Sequence, residues 1–220
     1  MSRGSPTRAV VFDLDGTLVD SMPLVVRAFA HALHPTCGAL TPEAITAGLG
    51  GPPERILRAF IADESRIPEA MARLVDYDTR NWQLIQPFAG MHDLLEHLRG
   101  ARHSLALWTG RDRASTELIL REHAIGPKLH ACVCGDDLAT HKPHPGGLGK
   151  AMQRLSVTRE ETLFVGDADV DVLAGEACGV RTVLIRHDRR VAAAIRATAW
   201  RDVNTPAEAY AVVRAELAAR

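Results

Sequence analysis

Asp13 and Asp15 stand two residues apart at the end of an apolar run, Ala9-Val10-Val11-Phe12, and Gly16 follows at once. A short run rich in β-branched residues reads as a buried strand. On extended backbone alternate side chains point the same way, so both carboxylates leave the strand end on one side. Two carboxylates this close repel each other, and a divalent cation or a shared proton removes that repulsion. Gly16 lets the chain swerve and brings backbone amides close to whatever the carboxylates hold. The ordinary structural alternative is an aspartate-rich turn after a strand, since Asp-Gly is common turn punctuation.

Further polar groups recur behind other apolar runs. Thr109-Gly110 closes Ser104–Trp108, and Gly166-Asp167-Ala168-Asp169-Val170-Asp171 follows Thr162–Val165. Lys142 lies in the loop His141-Lys142-Pro143-His144-Pro145. If strand ends bring these together, the set is two carboxylates, a hydroxyl, an amine and a further acidic cluster. Phosphoryl transfer needs such a set. A carboxylate can attack phosphorus, and a hard cation on oxygen ligands offsets repulsion between two anions. A lysine, a hydroxyl and backbone amides then hold the equatorial oxygens.

The elements that must position these groups alternate. After Ser21 helical periodicity sets in, with Leu24, Val25, Ala28, Phe29, Ala32 and Leu33 on one face as far as Pro35. Thr41-Pro42 opens a second helix, and Glu54–Ala62 and Glu69–Trp82 read as two more, with no strand between residues 22 and 85. From Pro87 onward helices alternate with strands: a helix over Gly90–Arg99, strand 104–108, helix Ala114–His123, strand Ala131–Cys134, helix Pro145–Leu155. Thr158-x-x-Glu161 forms a capping-box turn, followed by strand 162–165, helix Val170–Cys178, strand Arg181–Ile185 and a last helix capped by Thr205. The pattern predicts an α/β protein with a doubly wound, Rossmann-like parallel sheet and an inserted all-helical domain. The expected domains are 1–19 with 86–220 as the core and 20–85 as the insert. Such sheets place sites at the carboxyl ends of strands.

Composition narrows the partners. The net charge of −1 supplies no field for nucleic acid or a membrane surface, and no run of 18 apolar residues is present. The polar N-terminus lacks a signal-like apolar stretch, so a cytoplasmic location is expected. Cys37, Cys132, Cys134 and Cys178 show no zinc spacing, and Cys132 and Cys134 read as thiols on one strand face. His141 and His144 read as surface residues, and Trp108 as packing beneath the site.

Asp-Leu-Asp-Gly-Thr (13–17), Thr109, Lys142-Pro143 and Gly-Asp-x-x-x-Asp (166–171) resemble, in order, the four motifs of the haloacid dehalogenase superfamily. The helical insert resembles the cap of its phosphoglycolate-phosphatase-like branch. The resemblance implies Asp13 as nucleophile and Asp15 as general acid and base, its side chain free for proton transfer. It implies Mg2+ held by Asp13, the Asp15 carbonyl and Asp167, with Asp171, one helical turn beyond Asp167, as an outer partner. Thr109 and the Gly110 amide would hold phosphate oxygens beside Gly16, and Lys142 would pair with the phosphate and Asp13. Asp169 is atypical and suits a helix start. Thr109-Gly110-Arg111-Asp112-Arg113 departs from the Asn or Ser that often follows the motif Thr in this family; Arg111 and Arg113 bind an anionic substrate or pair with nearby acids. The Gly48–Pro53 loop with Arg55 resembles a cap segment that reaches substrate.

The implied function is a Mg2+-dependent phosphatase for a small phosphorylated metabolite, acting through an aspartyl-phosphate as a monomer or homodimer, with no nucleic acid or membrane partner. A phosphomutase of the β-phosphoglucomutase type shares all four motifs, and a non-catalytic binding or regulatory module on the same fold is the rival of a different class. Dehalogenation is disfavoured, since it needs neither metal nor a second aspartate at position 15.

Overall fold

Ala9-Val10-Val11-Phe12 is buried at every residue, and a computed structural model, which describes residues 8–49, 53–187 and 189–218, places it inside a six-stranded sheet. In chain order the elements are β1 (Ala9–Phe12), β2 (Val19–Asp20), α1 (Met22–Cys37), α2 (Pro42–Gly48), α3 (Pro53–Phe60), α4 (Ile67–Arg80) and β3 (Gln86–Pro87). Then come α5 (Met91–Gly100), β4 (Ser104–Trp108), α6 (Arg113–Glu122), β5 (Ala131–Val133), α7 (Gly146–Leu155) and β6 (Thr162–Gly166). The chain closes with α8 (Asp169–Cys178), β7 (Arg181–Ile185), α9 (Ala193–Thr198), β8 (Arg201–Val203) and α10 (Pro206–Ala218).

The large sheet runs β5-β4-β1-β6-β7-β8, and all its pairings are parallel. The chain builds one half outward from β1 through β4 and β5, then returns to its other side with β6. That reversal opens a crevice outside the carboxyl ends of β4, β1 and β6. Register makes those ends level: Phe12 pairs with Leu107 on one side and with Val165 on the other. Asp13, Thr109 and Asp167 therefore emerge together. The sheet is covered as apolar patterning requires; Leu148 and Ala151 of α7 and Ala174 of α8 share a buried cluster with Val11, Ala106 and Phe164. The expected parallel α/β sheet is present.

The chain divides into two units, Met1–Asp20 with Pro87–Arg220, and Ser21–Gln86. The second is helical and has its own core, in which Phe29 and Leu33 of α1 meet Ile45, Leu57 and Leu74. Among the described residues no helix is long and apolar enough to cross a membrane.

Local differences from the expected elements have local causes. Helix α1 does not stop at Pro35 but carries it in its last turn, where one lost amide is tolerated. It ends at Gly38, whose φ of 71° turns the chain while its amide bonds the His34 carbonyl. The C-terminal stretch read as helices also contains β8, whose three residues are too few to show a period. Thr205 and Glu208 cap α10 reciprocally, with the Glu208 amide on Thr205 Oγ1 and the Thr205 amide on Glu208 Oε2. Cys132 Sγ and Cys134 Sγ lie 3.5 Å apart, and burial pushes the Cys132 thiol up to about 12.

Candidate active site

Asp13 continues β1 by one residue, its amide donating to the Val165 carbonyl at 2.9 Å. Its side chain is buried, and Oδ1 accepts from Lys142 Nζ at 2.5 Å. The same ammonium lies 2.7 Å from Asp171 Oδ1. Two aromatic faces enclose it: the Trp108 ring centroid is 4.8 Å from Nζ and that of Phe164 5.6 Å. A ring face attracts a cation, so the loop lysine is held by two carboxylates and two π systems at once. Trp108 does pack beneath the site, and Gly147 gives it room, since a Cβ there would lie 2.1 Å from the indole nitrogen.

Asp167 follows β6. A Cβ on Gly16 would lie 2.3 Å from Asp167 Oδ2, and Gly16 has φ +71°, so space and backbone both demand glycine. Asp171 is not one helical turn beyond Asp167, because α8 begins at Asp169 and Asp167 precedes it. Asp171 instead occupies the first turn, its Oδ2 accepting the Ala168 amide at 3.0 Å. Asp169 sits beside it at the helix start with Arg189 Nη1 3.8 Å away. Asp13, Asp167 and Asp171 each offer an oxygen, and these oxygens all lie within 4.8 Å of one another.

Crowded carboxylates in a dry place titrate unusually. Burial raises the Asp13 carboxyl to about 7; Lys142 pulls the other way, and Asp171 and Asp15 add to the rise. Burial, then Asp13 and Asp171, hold Asp167 well above the carboxylate range, against Arg189. For Lys142, burial opposes the charge, but Asp13 and Asp171 outweigh it and keep the amine protonated. Three carboxyl groups crowd one ammonium, a cation would favour their ionised forms, and all the side-chain donors are hard oxygens. That donor set fits a cation of the Mg2+ class better than a thiolate- or imidazole-seeking one.

The remaining expected residues fall as follows. Thr109 is buried, and its Oγ1 accepts the Arg111 amide at 3.1 Å; Gly110 is exposed, with open space where a Cβ would stand. The Asp15 carboxylate is not free as expected, because Arg111 holds both of its oxygens, at 2.7 and 2.8 Å. Arg111 thus faces an acid of the same loop cluster, and Arg113 forks onto Asp137. Arg55 is exposed on α3 of the helical unit, and Gly50, Gly51 and Pro52 of its loop lie outside the described residues. His141 and His144 are exposed.

Two supports of the Asp13–Thr17 loop come from the C-terminal third. His187 Nε2 donates to the Gly16 carbonyl at 2.5 Å and stacks on Phe88, ring centroids 5.5 Å apart. The buried Tyr210 hydroxyl donates to the Thr17 carbonyl at 2.7 Å. Their separations of 171 and 193 residues explain why no local pattern announced them. Tyr210→Phe removes one hydroxyl and orphans a buried carbonyl, so stability should fall by about 1–3 kcal/mol. Urea denaturation reads that loss, and an unchanged midpoint would show that the bond contributes nothing.

Against known proteins, residues 10–185 match the family model described as haloacid dehalogenase-like hydrolase. The chain is 32% identical to phosphoglycolate phosphatase of Pseudomonas putida, over 82% of its own length and 70% of that protein's. It is 33% identical to the tyrosine-protein kinase PtkA of Mycobacterium tuberculosis, over 84% of its own length and 64% of that protein's. A solved haloacid dehalogenase-like family hydrolase from Streptococcus pneumoniae matches with a TM-score of 0.78 at 24% identity, covering 94% of this chain and 98% of that one. That likeness shows the fold.

Proposed function

The chain belongs to the haloacid dehalogenase-like hydrolase family and is a hydrolase of the phosphatase kind, and from that premise we propose that it cleaves small phosphate monoesters through a phosphorylated Asp13. The carrying observation is the buried Asp13 carboxylate, 2.5 Å from the Lys142 ammonium, level with Asp167 and Thr109 at adjacent strand ends.

In this reading an Asp13 oxygen attacks phosphorus, and the bond to the leaving alcohol breaks as Asp15 gives its proton to that oxygen. Asp15, now a carboxylate, takes a proton from water; the water oxygen attacks phosphorus, and the Asp13–phosphorus bond breaks to release inorganic phosphate. Lys142 pairs with Asp13 and with the equatorial oxygens, joined by Thr109 and the Gly110 amide; the expected Gly16 amide is instead taken by the Val19 carbonyl at 2.8 Å. Asp13, the Asp15 carbonyl and Asp167 would hold Mg2+, which supplies the positive charge that lets one anion approach another. Asp171 keeps Lys142 in place. We assign the helical segment 20–85 the role of cap and substrate selector, with Arg55 as its anion contact. Incubation with p-nitrophenyl phosphate and then with a panel of alkyl phosphates and sugar phosphates tests the reading. Absence of phosphate release with every ester would overturn it, and a requirement for a sugar bisphosphate would make the enzyme a mutase.

Metal binding should depend on pH. The raised Asp13 and Asp167 carboxyls make the folded protein bind protons more tightly than the unfolded chain does. For Asp13 the stability so contributed is fully present below the ordinary carboxylate value and is lost as pH rises through about 7, and Asp167 acts in the same direction. A divalent cation needs the ionised forms, so it competes with protons and restores at high pH what deprotonation removes. We expect Mg2+ to raise the thermal midpoint more at about pH 8 than at about pH 5.5, and EDTA to abolish both the shift and the activity. Equal shifts at both values, or activation by Zn2+ with no response to Mg2+, would contradict this site.

A further inference from the structure

Arg111 and Asp15 are 96 residues apart in sequence, yet one side chain of the pair occupies both oxygens of the other. Arg111 Nε donates to Asp15 Oδ2 at 2.7 Å and Nη2 to Asp15 Oδ1 at 2.8 Å. The guanidinium is 16% exposed and the carboxylate 32%. An ion pair that water reaches contributes little to stability, so thermodynamic support is a weak reason for it. What a two-point fork does well is geometry: it fixes the plane of a carboxylate, which a lysine's single point charge cannot do.

The base of the fork is itself anchored. The Arg111 amide donates to Thr109 Oγ1 at 3.1 Å, and its carbonyl accepts the Gly135 amide at 2.6 Å. Gly135 lies so close to the neighbouring turn that a Cβ there would be 2.2 Å from the Gly110 carbonyl oxygen. A carboxylate has about four lone-pair sites, and the fork uses two of them. One site on each oxygen remains for a proton.

Resting on the phosphatase reading, we propose that Arg111 is a positioning residue that aims the Asp15 carboxylate for proton transfer and does not itself bind the substrate phosphate. In the first half-reaction a remaining Asp15 lone-pair site carries the proton delivered to the leaving oxygen. In the second it receives one from water. An unaimed Asp15 slows both transfers and leaves nucleophilic attack by Asp13 intact.

The test compares leaving groups in Arg111→Gln, Arg111→Lys and Arg111→Ala. With alkyl phosphates kcat should fall about tenfold or more, within the roughly 10²–10⁴ that acid–base catalysis supplies, while KM stays within about twofold. With acetyl phosphate, whose leaving group needs no proton, the initial burst that phosphorylates Asp13 should keep its wild-type rate. Lysine should not rescue, and free guanidinium ion at non-denaturing concentration should restore part of the kcat of Arg111→Ala where methylammonium does not. Unaltered thermal midpoints, read in parallel, separate misaiming from misfolding; if Arg111→Ala fails to fold, the leaving-group comparison in Arg111→Lys decides. A loss independent of the leaving group, a raised KM and inhibition constant for inorganic phosphate with kcat intact, or wild-type kinetics throughout would each overturn the proposal alone. A wild-type protein that cleaves no phosphate ester would overturn the phosphatase reading and this proposal with it.

Discussion

Asp13→Asn is expected to leave no more than a few per cent of wild-type phosphate release with any monoester. An amide has no anionic oxygen to form the bond to phosphorus, and its neutral carbonyl is a poorer partner for a cation. The change should not unfold the protein. Burial and the neighbouring acids raise the Asp13 carboxyl to about 7, so above that pH the ionised form is held against the preference of its surroundings. Asparagine is close to the shape of the protonated acid, and Lys142 retains its ion pair with Asp171 at 2.7 Å. Removing one partner of a buried pair costs most when the other is left alone, which is not so here. Steady-state phosphate release beside a thermal melt makes the test. Substantial turnover by a folded variant would remove Asp13 from the nucleophile's role, and a collapse of the melt would show that the Lys142 pair outweighs carboxylate crowding.

The fold was legible where burial imposes a pattern. A parallel strand covered on both faces must be apolar throughout, and Ala9–Phe12, Leu105–Trp108 and Leu163–Val165 are buried without exception. Polar residues at the ends of such runs stand out against them, which is how Asp13, Thr109 and Asp167 were found. Lys142 was visible only through its resemblance to a motif, since its aromatic and acidic enclosure is assembled from the end of β1 and from β4, β6 and α8. For Arg111 the sequence favoured pairing with nearby acids over an anionic substrate but left the acid unnamed, because composition cannot say which acid an arginine reaches. His187 and Tyr210 offered no signal, because their partners are backbone carbonyls, and every residue has one. Strand β8 escaped for a different reason: Asp202 faces Arg186 and Arg196, so its centre is polar where a buried strand's would be apolar.

Asp15→Asn separates the two aspartates of the loop. The substitution keeps size and the backbone carbonyl assigned to the metal, so Mg2+ and phosphate analogues should still bind. It removes the group that carries the proton and replaces one acceptor of the Arg111 fork by an amide donor. With alkyl phosphates both half-reactions then lack acid–base assistance, and turnover should fall by on the order of 10²–10⁴. With acetyl phosphate the first step needs no proton, so Asp13 is phosphorylated at a near-normal rate, while attack by water still lacks its base. The phosphorylated protein should therefore accumulate, and intact-protein mass spectrometry after rapid acid quench should show the added phosphoryl mass, absent from Asp13→Asn. The Arg111 variants provide the contrast: they retain the carboxylate and lose only its aim, so they should accumulate less adduct than Asp15→Asn under the same quench. Near wild-type turnover of alkyl phosphates by Asp15→Asn would assign proton transfer to another group. Loss of Mg2+ binding with proton transfer intact would exchange the roles given to the carbonyl and the carboxylate.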